Sequence, residues 1–234
     1  MVKKNFWLIL LFLFFAPALC GAAENTCLRC HEQLKGPAHK AAGHNFADWK
    51  KSAHAEKGIL CQACHGGNPG TMDPVKAHQG VLPSQNKNSS VHFQKIPETC
   101  GRCHVEEFTE FRKSVHHKML QRSGKGPNCL TCHGAMATFV LTASDLERTC
   151  SLCHGKPTQA AKALSAILSL KNFLNVYQKN LPKDEKERAA MFQKRYQKIQ
   201  QEWHSFDVVF VIAESEKLMK EIKAAMDRKP RKGP

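Results

Sequence analysis

Ten of the eleven cysteines in this 234-residue chain fall in five Cys-x-x-Cys-His runs, and this pattern limits the fold more than any other feature. The runs are Cys27, Cys30 and His31; Cys61, Cys64 and His65; Cys100, Cys103 and His104; Cys129, Cys132 and His133; and Cys150, Cys153 and His154. A single run would also fit a redox dithiol or half of a zinc site. Five runs indicate c-type haem, because two thiols add to the two vinyl groups of one porphyrin while the adjacent histidine binds its iron. We therefore expect five covalently attached haems.

A longer repeat leads into two of these runs. Four positions recur at identical spacing in its two copies: Phe46, Trp49, Ser52 and His54, and Phe108, Phe111, Ser114 and His116. Each copy then reaches a Cys-x-x-Cys-His-Gly run, so the repeat, called here the ligand module, predicts that a haem and an upstream histidine form one unit. We expect the histidine and the first aromatic residue to share a helical face. His54 and His116 are candidate second axial ligands, with His117 as the alternative to His116.

Eight histidines lie outside the five runs, which is enough to give each iron a second axial ligand. Besides the ligand modules, the candidates are His78, His92 and His204. For His204, beside Trp203, an ordinary position on a helix surface is the alternative. His39 and His44 are further candidates, with a solvated loop as the alternative.

The composition changes near residue 157, which predicts two structural parts. Residues 24–156 have little sustained periodicity and many Gly, Pro, Asn and Ser residues, so the five haems must supply most of the core. The expected fold class is mainly α with much irregular loop. We expect short helices around each run and through 46–54 and 106–120, and loops at 66–73 and 83–90.

The expected second part, residues 157–228, is an antiparallel helical hairpin. The first helix is predicted for 160–178 and ends before the Asn180 to Pro182 break; the second is predicted for 184–227. The second carries a coiled-coil-type seam: Phe192, Tyr196, Ile199, Trp203, Phe206, Phe210 and Ala213. The apolar stretch 206–213 predicts burial against the first helix and the haem domain, or a homodimer interface. The basic tail 229–234 is expected to be disordered.

Residues 1–23 read as an export signal. Lys3 and Lys4 precede an apolar run over 6–15, and small residues follow, with cleavage expected near Ala22 or Ala23. The alternatives are a retained membrane anchor and a lipid-modified Cys20, although the run is shorter than the about 20 residues that a spanning helix needs. We expect a periplasmic or otherwise exported protein.

The basic charge of the chain has an explanation that does not involve nucleic acid. The formal charge is +15, and removing Lys3 and Lys4 with the leader leaves +13. Five ferric haems with ionised propionates would add about −1 each, giving roughly +8, or roughly +3 when reduced. Much of the Lys and Arg excess therefore offsets propionates, and we expect no nucleic acid partner.

Across nearly the whole mature chain, characteristic segments follow in this order: CQACHGGNPGTMDPVKAH, ETCGRCH, EFRKSVHH, CLTCHGA, TCSLCHG and a helical hairpin containing WHSFD. The order resembles that of exported multihaem c-type cytochromes of bacterial anaerobic respiration. Their relatives include pentahaem nitrite reductases, hydroxylamine oxidoreductases and small tetrahaem to octahaem electron carriers. The resemblance implies a haem-packed domain with bis-histidine irons, a C-terminal hairpin, and His54, His116 and His204 as distal ligands. The chain departs from the pattern at Met136, where relatives often have a second histidine.

These features favour an electron carrier over an enzyme. The related nitrite reductases use a Cys-x-x-Cys-Lys haem, and this sequence has no such run. Hydroxylamine oxidoreductases attach a tyrosine to a catalytic haem, and both tyrosines here, Tyr177 and Tyr196, fall in the predicted hairpin. The expected role is to relay electrons between a quinol-oxidising membrane complex and a terminal reductase, another cytochrome or an extracellular acceptor. The alternative is an oxidoreductase in which one open-site haem acts on a small N- or S-oxo substrate.

Overall fold

A computed structural model describes residues 25–33, 46–139, 141–181 and 185–227. These residues form helices joined by irregular segments, and they include no β-strand. The helices are α1 (Thr26–Gln33), α2 (Phe46–Lys50), α3 (Ala53–Glu56), α4 (Gln62–His65), α5 (Pro74–Ala77), α6 (Ile96–Cys100), α7 (Val105–Lys113), α8 (Val115–Ser123), α9 (Cys129–His133), α10 (Ala143–Cys150), α11 (Thr158–Lys179), α12 (Lys186–Glu202) and α13 (Val208–Met226). Short 3₁₀ turns cover Phe93–Lys95 and Trp203–Ser205.

The predicted mainly helical class and the loops at 66–73 and 83–90 are confirmed. Every Cys-x-x-Cys-His run touches a helix: α1, α4 and α9 contain most or all of a run, whereas α6 and α10 end at its first cysteine. No helix among the described residues combines the length and the apolar composition that a membrane crossing requires.

The two ligand modules fold alike, but each forms two helices where the sequence pattern suggested one. The break falls at the repeated serine, because Ser52 and Ser114 have extended backbones and buried side chains. The Ser52 hydroxyl accepts from Ala55 N–H at 3.1 Å, and the Ser114 hydroxyl accepts from His117 N–H at 3.0 Å. Each serine is therefore an N-cap. The expected single helical face shared by phenylalanine and histidine is wrong, since a new helix begins between them.

Most of the buried apolar side chains lie in the C-terminal part. A continuous cluster joins α10 to α13, and its fully buried members include Leu170 on α11 and Leu218 and Ile222 on α13. Burying a leucine or isoleucine side chain contributes about 2 kcal/mol. The helix predicted for 160–178 is confirmed as α11, and it packs against both α12 and α13.

The second predicted helix, 184–227, is wrong as a single element. It ends at Glu202, continues as the 3₁₀ turn Trp203–Ser205, and restarts as α13 at Val208. The predicted seam is buried from Phe192 to Trp203, but beyond the break the buried positions shift to Val211, Ser215, Leu218 and Ile222, and Ala213 is exposed. The C-terminal part is therefore an arrangement of three helices. Arg195 on α12 also bridges to Glu221 on α13, with 2.5 Å between guanidinium nitrogen and carboxylate oxygen.

The expected leader 1–23, including Cys20, the basic tail 229–234, and the ligand candidates His39 and His44 lie outside the described residues.

Candidate metal centres

Four of the five run histidines lie opposite a second histidine that belongs to no run. The ring-centroid distances are 5.9 Å for His31 and His78, 6.0 Å for His104 and His54, 5.9 Å for His154 and His116, and 6.4 Å for His133 and His204. Each pair joins residues that are distant in the sequence. The structure thus brings together four of the predicted proximal histidines and four of the predicted distal ones.

These separations fit an iron ion between two imidazoles. A first-row metal lies about 2 Å from a coordinating imidazole nitrogen, and that nitrogen lies about 1.2 Å from its ring centre, so two ligands on opposite sides place their centroids about 6.4 Å apart or slightly less where the arrangement is bent. The four observed distances, 5.9 to 6.4 Å, agree with this value. The paired histidines and the neighbouring cysteines therefore suit c-type haem.

Hydrogen bonds fix the orientation of several of these imidazoles. Carbonyl oxygens lie beside Nδ1 at 2.8 Å for His78 and Pro74, 3.0 Å for His133 and Phe139, and 3.1 Å for His204 and Gln200. Because a carbonyl only accepts, Nδ1 carries the proton and donates, and Nε2 keeps its lone pair. Metal-binding histidines usually have this arrangement, in which the outer hydrogen bond sets the tautomer and raises the basicity of the ligand.

His54 reaches its position through the first ligand module and the segment after α9. Ser52 caps α3, and the Ala53 N–H donates to the Thr138 carbonyl at 3.4 Å. The Thr138 hydroxyl oxygen lies 2.9 Å from His54 Nδ1. One residue of this distant segment therefore holds both the backbone and the imidazole of the module.

His78 follows a one-turn helix whose start is clear in the sequence. The Asp73 carboxylate accepts from the N–H groups of Val75 and Lys76, and Pro74 occupies the first turn, where its missing N–H costs nothing. The Thr26 hydroxyl donates to the Thr71 carbonyl at 2.8 Å, which ties α1 and its His31 to the segment before this helix.

Burial lowers the pKa of three of the paired distal imidazoles, those of His54, His116 and His204, below the usual value for histidine. A lowered pKa favours the neutral form, which is the form that binds a metal. The facing run histidine adds to the effect in each case, because a second positive charge would repel the first.

Thiols of successive runs lie near one another in the same order as in the sequence. Charge interactions or hydrogen bonds join Cys27 with Cys61, Cys64 with Cys100, Cys100 with Cys129, and Cys132 with Cys150. Burial, with a smaller contribution from the nearby Cys150 thiolate, raises the pKa of Cys132 to about 11. A hydrogen bond to Cys100 is the main reason that the pKa of Cys129 is raised. Each of the five runs is therefore linked to the next one in the sequence through neighbouring thiols.

The glycine after two of the runs has a defined backbone role. Gly66 and Gly134 end α4 and α9 with φ of 76° and 80°, and their N–H groups donate to carbonyls of the preceding turn. Glycine adopts such positive φ values without steric cost. The repeated Cys-His-Gly sequence therefore ends each helix just after the run histidine.

Two other histidines occupy different positions. The His92 imidazole caps the first 3₁₀ turn, its Nδ1 accepting from Gln94 N–H at 3.3 Å, and within the described residues it contacts no run histidine ring. His117 lies edge-on to Phe108 and Phe111. A second ligand for His65, and ligation by His92, stay predictions.

Sequence reasoning missed Thr138, because a contact across 84 positions leaves no local pattern. It also missed the capping role of Ser52 and Ser114, although a serine two residues before a histidine in both modules is a usable N-cap signal.

Comparison with known proteins adds one family match. Residues 85–161, about a third of the chain, match the family model for cytochrome c7 and related cytochrome c. This segment contains the last three Cys-x-x-Cys-His runs. No solved structure matches the chain. The match supports c-type haem and iron as cofactor and electron transfer as function, and over this segment the chain is similar to multihaem c-type cytochromes.

Proposed function

We propose that this protein is a pentahaem electron carrier that relays electrons between a quinol-oxidising membrane complex and a terminal reductase, another cytochrome or an extracellular acceptor in anaerobic respiration. The five runs, Cys27 to His154, would hold five haems. Bound haem iron exchanges single electrons between its ferric and ferrous states.

The histidine pairs are the observation that carries this proposal. With an imidazole on each side of an iron, as His104 and His54 or His133 and His204 are placed, neither axial position is open to a substrate. A carrier needs this arrangement, since its iron changes charge without exchanging ligands. An enzyme of this class needs at least one open axial position.

The contacts between successive attachment cysteines support a linear path. Cys27 neighbours Cys61 in the second run, and Cys132 neighbours Cys150 in the fifth. The first and fifth sites therefore lie at opposite ends of the series of contacts. In this proposal, electrons enter at one end and leave at the other, and the redox partners dock at these ends.

The test is a haem count followed by a spin-state measurement on the exported, haem-loaded protein. We expect five haems per chain, only low-spin ferric signals in electron paramagnetic resonance (EPR), and no carbon monoxide binding after reduction. A variant with both cysteines of the first run changed to alanine should retain four haems. A high-spin signal with stoichiometric carbon monoxide binding would favour the oxidoreductase instead.

Export is part of the same proposal, because residues 1–23 have the basic start, apolar run and small residues of a cleaved export signal. The mature chain should begin near residue 23 or 24, which intact-mass measurement of the purified protein tests. A mass that retains residues 1–23, or that carries lipid on Cys20, would indicate a membrane tether. A homodimer through the C-terminal helices is tested on the same sample by sedimentation.

A further inference from the structure

The turn between α12 and α13 contains a strained residue. Phe206 has φ of 65° and ψ of 24°, and it is the one non-glycine residue with positive φ in the described part of the chain. The left-handed conformation is unfavourable for a residue with a side chain, because Cβ then lies too close to the following carbonyl oxygen. Such strain persists where the surroundings enforce it, and it is concentrated at functional sites.

The Phe206 ring lies against an imidazole that the metal centres use. Its centroid is 4.4 Å from that of His116, and the two ring planes are nearly perpendicular at 89°. Phe111 and Trp203 pack around the same phenyl ring, with centroids 6.4 Å and 6.0 Å away. The left-handed backbone turns the phenyl group into this position directly after the turn that carries His204.

His116 differs from the other three paired distal histidines in the hydrogen bonding of its Nδ1 nitrogen. Nδ1 of His78, His54 and His204 each has an oxygen within 3.1 Å. Nδ1 of His116 is buried and has no hydrogen-bond partner among the described residues. The ring contact with Phe206 is thus the interaction left to fix the orientation of this imidazole.

The missing hydrogen bond has a consequence for redox potential. An acceptor at Nδ1 makes an imidazole a stronger donor to iron, which stabilises the ferric state and lowers the potential. Both members of the pair His133 and His204 donate to carbonyls, whereas His116, opposite His154, does not. The fourth and fifth attachment sites therefore differ in this respect.

We propose that Phe206 is a positioning residue that holds the His116 imidazole in a dry contact in place of an Nδ1 hydrogen bond, giving the fifth attachment site a higher potential than the fourth. This inference rests on the proposed haem function. The difference in potential also gives electron transfer between these two sites a direction, from the fourth site to the fifth.

The test uses the haem-loaded, full mature protein and the variant Phe206→Gly. Glycine adopts the same positive φ without strain, so the turn is retained while the ring is lost. We expect five haems, a changed EPR signal for one low-spin haem, and a negative shift of the highest midpoint potential, because water can then reach Nδ1 of His116. Phe206→Tyr retains the ring, so its EPR signals and its highest midpoint potential should match those of the wild type.

Three further variants make the outcome decisive. Phe192→Leu removes an aromatic ring from the buried helical core, where it packs on Tyr177, and should lower stability without changing any potential. Removing Cys150 and Cys153 should abolish the redox transition with the highest midpoint potential. His204→Ala should change a transition with a lower midpoint potential. Unchanged EPR spectra and midpoint potentials in Phe206→Gly, with five low-spin haems present, would overturn this inference alone. A wild-type protein that lacks its five haems would overturn the proposed function.

Discussion

The imidazole planes of His133 and His204 are inclined by only 26°, with 6.4 Å between the ring centroids. In the other three pairs the planes are inclined by 57° to 64°. Each ring of the His133–His204 pair is fixed by a carbonyl, that of Phe139 for His133 and that of Gln200 for His204. The first comes from the segment after α9 and the second from the last turn of α12. The 3₁₀ turn after α12 packs on α7, so the C-terminal helices contribute a residue to one of the candidate metal centres.

Replacing His204 by alanine should open one axial position. One haem should become high spin and bind carbon monoxide when reduced, because no other imidazole occupies that side of His133 in the described structure. EPR and carbon monoxide titration measure this. Lys198→Ala, at an exposed position of α12, is the matched control and should leave every haem low spin. A high-spin haem in the Lys198 variant would show that the spin change follows from a disturbed α12 and not from the lost imidazole.

The two ligand modules predict a pair of equivalent variants. His54→Ala and His116→Ala should each convert one haem to high spin, because each removes the imidazole opposite a run histidine, His104 or His154. The double variant should contain two high-spin haems, since the two modules serve different attachment sites. Spectra identical to the wild type in both single variants would contradict the pairing.

Thr138→Val should alter the potential of one haem without removing a ligand. Valine keeps the shape of threonine but cannot accept the Nδ1 proton of His54, which now lies 2.9 Å from the hydroxyl oxygen. The imidazole becomes a weaker donor, so the potential of the His104 site should rise while all haems stay low spin. A redox titration followed by absorbance measures this. Thr109→Val removes a hydroxyl that bonds only the Val105 carbonyl on α7 and should change nothing.

The Cys-x-x-Cys-His runs and the ligand modules could be recognised from the sequence because both are local patterns. A Cys-x-x-Cys-His run requires only neighbouring residues, and the spacing from Ser52 to His54 is repeated from Ser114 to His116. The sequence also indicated the apolar faces of α11 and α12, where burial follows the helical period.

The pairing of histidines could not be predicted in this way. His104 meets His54 from the first module, whereas His65, which follows that module in the sequence, does not pair with it. The choice depends on tertiary contacts such as the Thr138 carbonyl with Ala53 N–H. The break at Phe206 was missed for a related reason, because phenylalanine has no preference for positive φ and the surrounding packing enforces it.

The N-terminus of α10 should make stability depend on pH in the acid range. The Thr142 hydroxyl and N–H donate to the Asp145 carboxylate, and these bonds, with Arg148 nearby, hold the pKa of Asp145 below its usual value. Below about pH 4, where an unfolded aspartate binds a proton, the unfolded state takes up more protons than the folded state. The stabilisation is therefore present above that pH and is lost as the pH falls through the folded pKa.

The measurement compares thermal unfolding of the wild type and Asp145→Asn across this range. The stability difference between them should shrink as the pH falls. Asp227→Asn, at the end of α13, removes an exposed carboxylate without a capping bond and should show no such trend. A difference that is constant with pH would contradict the capping role.

The helical core should be separable from the haem sites by mutation. Leu218 on α13 is fully buried in the cluster with α11, and that cluster contains none of the paired histidines. Leu218→Ala should lower the free energy of unfolding by about 2 to 5 kcal/mol, since it leaves a cavity as well as removing buried apolar surface. The Soret spectrum and the redox potentials should be unchanged under native conditions. Chemical denaturation monitored by circular dichroism and by Soret absorbance measures both effects, and Lys220→Ala on the exposed side of α13 is the control. An equal loss in the two variants, or a shifted potential in Leu218→Ala, would show that the core and the haem sites are coupled.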